Sequence, residues 1–281
     1  MSLDAPPVMA LRPPRAPSWA GSMRALVRRG LRDSRRSTLT WGLTLGAYGG
    51  FMAAVYPSIQ PSLDQLLKHY PAALKQAFDV TSMRTVEGYI QAEMFSLIVP
   101  LALGYFVIHA ITGPTVGAEE RGELDTVLSL PLSRRVLMAS TCVVAALTAT
   151  TVMVTTGVMT FAVGRLAGTH ISAGLVAAGV GGVLPLALLG GGIAAVAAGA
   201  MHRGRGASGL ALGLLVAMYL IDLVGKLAHH LEVIRWASAF RYYGSPMRDG
   251  IDPLSLIGLS AVAAALMIAG ALLLERRDVL R

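Results

Sequence analysis

One cysteine, Cys142, stands in a chain of 281 residues. A lone thiol closes no intramolecular disulfide and builds no cysteine metal cluster, which excludes a disulfide-stapled domain and a thiolate zinc site. Charge is scarce as well: Asp, Glu, Lys and Arg make up 14% of the residues, against about 25% in soluble domains. Lysine is almost missing, with only Lys68, Lys75 and Lys226 among 24 basic residues. There is no phosphate loop either. The single Gly-Lys pair, Gly225-Lys226, runs on into Leu227, and the glycines between Gly181 and Gly199 sit in an apolar run around Pro185 with no strand before them. Nucleotide binding by this chain is therefore not expected.

Apolar length is what the chain has in plenty. Hydrophobic residues account for 54% and the mean hydropathy is +0.60. The apolar mass gathers into six runs, Leu39–Val55, Ile90–Thr112, Val136–Val163, Ile171–Met201, Gly209–Val224 and Leu254–Leu274. About 20 apolar residues cross a hydrocarbon core of about 30 Å, and none of the runs alternates like a barrel strand. The expected class is an all-α integral membrane protein of six transmembrane helices. Leu39–Val55 is longer than the apolar core of a secretory leader and has no clear cleavage site behind it, so it reads as a retained span.

The net charge of +8 is not a nucleic-acid footprint, because the bases are sorted by loop. With the N-terminus inside, sixteen Lys and Arg fall on cytoplasmic segments and seven on outer ones, with Arg165 at a helix end. That bias predicts N-in, C-in topology, and the predominance of Arg over Lys with abundant Ala and Gly suggests a GC-rich bacterium, hence its plasma membrane. Residues 1–18 hold Pro6, Pro7, Pro13, Pro14 and Pro17 and read as a disordered cytoplasmic tail. Residues 19–37 follow as an amphipathic interfacial helix, with Trp19, Met23, Leu26, Val27 and Leu31 on one side. Arg24, Arg28, Arg29 and Arg32 lie on the other, each worth about 1 kcal/mol of attraction to anionic lipid. The six-helix domain is expected over 38–275 and a cytoplasmic end over 276–281. Between the first two spans, Ser62-Leu63-Asp64-Gln65 reads as a capping box opening a short helix. Pro71 suits the start of a second, which together would make a small extracytoplasmic cap.

The most informative stretch is Gly117–Ser140, GAEERGELDTVLSLPLSRRVLMAS. It predicts a short amphipathic helix between two spans, with Glu119, Glu120, Glu123 and Asp125 near its positive end. Anionic lipid repels such acids, so a basic or hydrogen-bonding protein surface accounts for them better. The residues Glu119, Glu120, Arg121, Gly122, Leu124, Asp125, Leu128, Ser129, Pro131, Ser133 and Arg134 resemble the coupling segment of ABC-2 family transporter permeases. The segment Phe240, Arg241, Tyr242, Tyr243, Pro246 and Arg248 is similar to the region before the last span in the antibiotic and polyketide export branch. The resemblance covers about Met23 to Arg281. It implies an exporter subunit that works as a homodimer and couples through Glu119–Arg134 to a separate ATPase, which binds the ATP and Mg. It also implies a small amphipathic or hydrophobic substrate.

No catalytic constellation and no metal site is evident; His229-His230 are adjacent and would diverge on a helix. Asp222 and Lys226, spaced i, i+4, read as a structural pair near the outer end of span five. Glu93 and His109 are the remaining intramembrane candidates, expected at helix ends or in the bundle interior rather than in a proton relay. Two other classes stay open from sequence: an ion-coupled secondary transporter, which would favour midplane charges and inverted repeats, and a non-transporting membrane sensor or assembly factor.

Overall fold

The computed structural model describes residues 19–69, 83–122, 133–201 and 203–276. The described residues form helices and connecting turns, with no strand among them. Helix α1, Trp19–Asp33, is separated from α2, Arg35–His69, only by a turn at Ser34. The backbone bonds Ser34 N to Gly30 O and Thr38 N to Ser34 O bridge that turn. There follow α3 (Val86–Ile90), a π-helical turn π1 (Gln91–Phe95), α4 (Ile98–Thr112) and a second wide turn π2 (Gly113–Gly117). Then come α5 (Arg134–Leu166), α6 (Ala173–Ala200), α7 (Gly204–Leu227) and a 3₁₀ segment His229–Ala237. The chain continues through the short α8 (Ala239–Tyr243) and α9 (Pro246–Asp249) into α10 (Pro253–Arg276).

Among the described residues, five helical stretches are long and apolar enough to cross a membrane: Ile98–Glu120, Arg134–Leu166, Ala173–Ala200, Gly204–Leu227 and Pro253–Arg276. The first expected run, Leu39–Val55, lies in the 35-residue α2, where threonine, glycine, tyrosine and serine dilute the hydropathy. The expected second run differs from the structure. Ile90–Thr112 is not one helix: it is interrupted by π1 and by a break at Leu97, whose φ of −136° and ψ of −59° leave the helical region. The capping box at Ser62 is also overturned, because the helix begun at Arg35 runs through it past Pro57 and Pro61. With no helix start there, no free N–H groups need a cap. The second helix expected at Pro71 lies outside the described residues.

Small residues set how the helices pack. A Cβ added at Gly270 would stand 2.4 Å from the carbonyl carbon of Ala195, and one at Gly199 would stand 2.8 Å from the carbonyl oxygen of Gly270. So α6 and α10 touch backbone to backbone, the close approach that Gly and Ala permit in lipid. On the other flank Gly42 faces Thr155, Gly46 faces Met159 and Gly50 faces Val163. The matching increments show that α2 and α5 run parallel. The threonines of α5 return their hydroxyls to the carbonyl four residues back, as Thr156 does to Val152 at 2.9 Å and Thr160 to Thr156 at 2.8 Å. Their polar atoms are thus satisfied without water. The core is centred on α6, with Phe95, Leu103, Met153, Leu186 and Met247 fully buried.

Candidate functional site

Ser133 caps α5: its Oγ accepts from Val136 N at 3.3 Å. Arg135, in the next turn, pairs with Glu275 near the end of α10. This end of the bundle also holds the acidic segment. Sequence placed Glu119 and Glu120 at the start of an interfacial helix; the structure places them at the end of one. The span α4 passes through π2 into the turn Ala118–Glu120 and stops at Arg121–Gly122, where Gly122 takes φ +70°. That left-handed geometry suits glycine and ends the helix. The favourable dipole of their own helix is therefore unavailable to these acids. Instead Glu120 lies against the first turn of α7, its Oε2 3.2 Å from where a Cβ at Gly204 would stand. The unpaired N–H groups of that turn favour a carboxylate. Glu119 is half-buried, and Glu120, Arg121 and Gly122 are exposed. Leu124, Asp125, Leu128 and Pro131 lie outside the described residues, and Arg134 is half-buried at the start of α5.

At the opposite end, polar side chains stitch the π1 turn to the segment before α10. Tyr243 donates to the Phe95 carbonyl at 2.9 Å, and Met247 N donates to Gln91 Oε1 at 3.1 Å. Ser172 N, at the start of α6, donates to Glu87 Oε1 at 2.8 Å. The Phe95 carbonyl, which a regular helix would have paired internally, and the first-turn N–H groups of Ser172 and Met247 are thereby satisfied by side chains from other elements. Of the segment quoted in the family resemblance, Phe240, Tyr243 and Pro246 are buried, and Arg241 lies over the Trp236 ring at 4.3 Å. The sequence signal for Glu87 and Gln91 was two polar residues four apart at the head of an apolar run.

Asp222, 3% exposed, meets Lys226 Nζ at 2.7 Å as the spacing predicts. It also meets Arg235 Nε at 3.0 Å. Arg235 reaches it through the 3₁₀ segment, a contact no local spacing announces. Ser238, equally buried, donates to the Met218 carbonyl at 2.6 Å and pins that segment to α7.

Glu93 and His109 are not in the bundle interior: both are exposed on one flank. Val99, Leu103, Val107 and Ile111 take the inward face of α4, which turns Leu97, Tyr105 and His109 outward. His109 stacks on Tyr105 with ring centroids 4.0 Å apart. On α1, Trp19, Arg24, Arg28, Arg29 and Arg32 are all exposed, and Gly30 packs against Val144 of α5. Among the described residues no group of three His, Cys, Asp or Glu is placed to hold a metal.

Among the described residues, five long apolar helices packed through small residues make a multi-pass helical membrane protein. Residues 28–274 match the family described as multidrug efflux system permease Rv1217c, C-terminal domain, and the chain belongs to that family. No curated protein matches the chain.

Proposed function

We propose that this chain is the transmembrane subunit of an ATP-driven exporter of the ABC-2 type, acting as a homodimer in the bacterial plasma membrane. The passenger is an amphipathic or hydrophobic compound, in keeping with the multidrug efflux family it belongs to. The observation that carries the reading is the acidic turn Ala118–Gly122. A membrane-length helix ends there in exposed Glu120 and Arg121, braced on the first turn of α7. Motion of a docked partner at this turn would pass directly into two apolar helices. ATP and Mg bind to a separate ATPase subunit, and its closure biases the permease between states that differ in substrate affinity.

Six crossings complete the topology. Helix α2 runs parallel to α5, starting at the Arg135 end and reaching the opposite end, where Tyr56 donates to the Arg84 carbonyl at 2.5 Å. This supports α2 as the first span and, with it, the reading that the exposed arginines of α1 lie on the cytoplasmic side, against anionic lipid.

The test is charge reversal at the turn. In Glu119→Arg/Glu120→Arg the apolar packing is untouched and the loss of the Glu120 contact with the first turn of α7 costs about 0.3–1 kcal/mol, whereas a complementary surface on the ATPase would face like charge, at a cost of several kcal/mol of association. The expected result is a stable, membrane-inserted protein that no longer co-purifies with its ATPase or no longer couples hydrolysis to transport. Normal ATPase retention and full export by the double variant would show that this turn is only a solvated loop. Labelling of introduced thiols gives the topology: reagent applied outside should reach Val233, exposed on the 3₁₀ segment, and not Ser208, whereas Ala239 is buried.

A further inference from the structure

At the Tyr243 end of the bundle a cleft of about 240 Å³, counted to its open mouth, lies between α6, α8, α9 and α10. Tyr242, Tyr243, Pro246, Ile251, Asp252 and Leu256 line it, and Asp252 is the one charged group of the lining. Among the described residues no basic side chain pairs with Asp252; the guanidinium of Arg248, nearby in sequence, is held on Asp249 at 2.6 Å. Size decides how much of a ligand can enter. Sites that engulf a drug-sized molecule run to about 300–1,000 Å³, so this cleft takes a head group and leaves the body of an amphipath outside.

Hydrogen-bonding capacity decides which head. A carboxylate offers about four lone-pair positions. Asp252 already accepts from Leu254 N at 3.2 Å, from Ser255 N at 3.3 Å and from the Ser255 hydroxyl at 2.6 Å. It keeps its charge but has little left for N–H donors of a ligand. The phenol hydroxyls are committed too, Tyr243 to the Phe95 carbonyl at 2.9 Å and Tyr242 to the Trp236 carbonyl at 3.4 Å. What the tyrosines offer the cleft is ring surface. The start of α10 opposes a cation here with about half a positive charge, and the full charge of Asp252 outweighs it. A negative site with aromatic and aliphatic walls and no spare acceptors suits a cation that carries no N–H. We propose that this cleft binds the quaternary ammonium head of an amphipath, its charge facing Asp252 and its methyl groups against Tyr242 and Leu256. Two sources share that head, a choline phospholipid and a quaternary amphipath in passage. The second rests on the efflux reading; binding itself does not.

The experiment uses the purified full chain in dodecyl maltoside, titrated by saturation-transfer NMR. Choline is the cationic probe and 3,3-dimethylbutan-1-ol, its uncharged isostere, the control. Saturable choline binding is expected, weakened about three- to five-fold by Asp252→Asn, which keeps the helix cap. Tyr242→Ala should weaken it by a similar factor and Tyr242→Phe, which keeps the ring, should not. The isostere should bind wild type and Asp252→Asn alike. Equal choline affinity in Asp252→Asn would overturn the proposal, as would a parallel loss of both probes, which marks disturbed structure. Dihexanoylphosphatidylcholine and octyltrimethylammonium then compete with choline. Displacement by both supports a site open to free amphipaths, displacement by the phospholipid alone assigns the cleft to lipid, and displacement by neither overturns it. If choline binds as expected but chain and ATPase together fail to export octyltrimethylammonium, the efflux reading fails and the site stands.

Discussion

The hydroxyl of Tyr243 donates to the carbonyl of Phe95 at 2.9 Å, across 148 positions of sequence. This bond and the Gln91–Met247 contact hold the wide turn π1 against the segment that leads into α10. Tyr243→Phe keeps the ring in place and leaves a buried carbonyl unpaired, at a cost of about 1–3 kcal/mol. A lower unfolding temperature in detergent is expected, with Tyr242→Phe, at an exposed position, close to wild type. Equal behaviour of the two variants would count against the stitching.

Asp222 pairs with two cations that the fold brings together from α7 and the 3₁₀ segment. Asp222→Asn takes from the Arg235 guanidinium, whose side chain is only 20% exposed, its close counter-charge and leaves it only Glu232 at 4.0 Å. Breaking a buried pair in this way costs about 3–5 kcal/mol. Lys226→Met should do much less, since its side chain is 42% exposed. The monodisperse fraction after detergent extraction ranks the two; a larger loss in Lys226→Met would reverse the assignment.

Gly270 has no room for a side chain. Gly270→Leu forces α10 away from the Ala195 backbone, at about 1–3 kcal/mol or more for overpacking. Gly258→Leu on the same helix meets nothing within 4 Å and should fold normally. Thermal melts of the two variants decide the matter: comparable melting temperatures would mean that α6 and α10 do not touch as described.

Asp252 caps α10. Its carboxylate accepts from the Ser255 hydroxyl at 2.6 Å and from Leu254 N at 3.2 Å, and these bonds hold its pKa below the ordinary carboxylate value. A depressed folded-state pKa contributes stability that is present above the unfolded value, about 3.9, and fades as the pH falls through the folded one. The start of α10 in the wild type should therefore lose amide-exchange protection below about pH 4, while Asp252→Asn, which caps without titrating, shows no such step. A step of equal size in both proteins would assign it to another carboxylate.

Much of this architecture is legible in the sequence. Four apolar runs, Val136–Val163, Ile171–Met201, Gly209–Val224 and Leu254–Leu274, mark helices to within a few residues, and the Asp222–Lys226 spacing is read directly because the partners lie about one turn apart. What escapes is whatever depends on distant neighbours. A helix that is apolar all round has no face to read, so neither the wide turn at Gln91–Phe95 nor the outward orientation of Glu93 and His109 leaves a periodic trace. Arg235 is invisible as a partner of Asp222 because the intervening 3₁₀ segment sets the approach. The Ser62 box shows the converse: a sound local signal overridden by a helix already under way from Arg35. Glu119 and Glu120 look like the head of a helix only if the preceding span is taken to stop at Thr112.

The two wide turns have a mechanical consequence. Between them α4 is a 15-residue rod, about 22 Å long, with a π-turn at each end. Regular α-helix is stiff, whereas a π-turn carries a local change of pitch. Force applied near Glu120 should therefore arrive at Tyr243 and Met247 as rotation of the rod rather than as bending along it. In such a linkage the position of Tyr105 on the open flank is set by the angle of the rod, so a pull at one end of the bundle regrades the aromatic surface halfway along it.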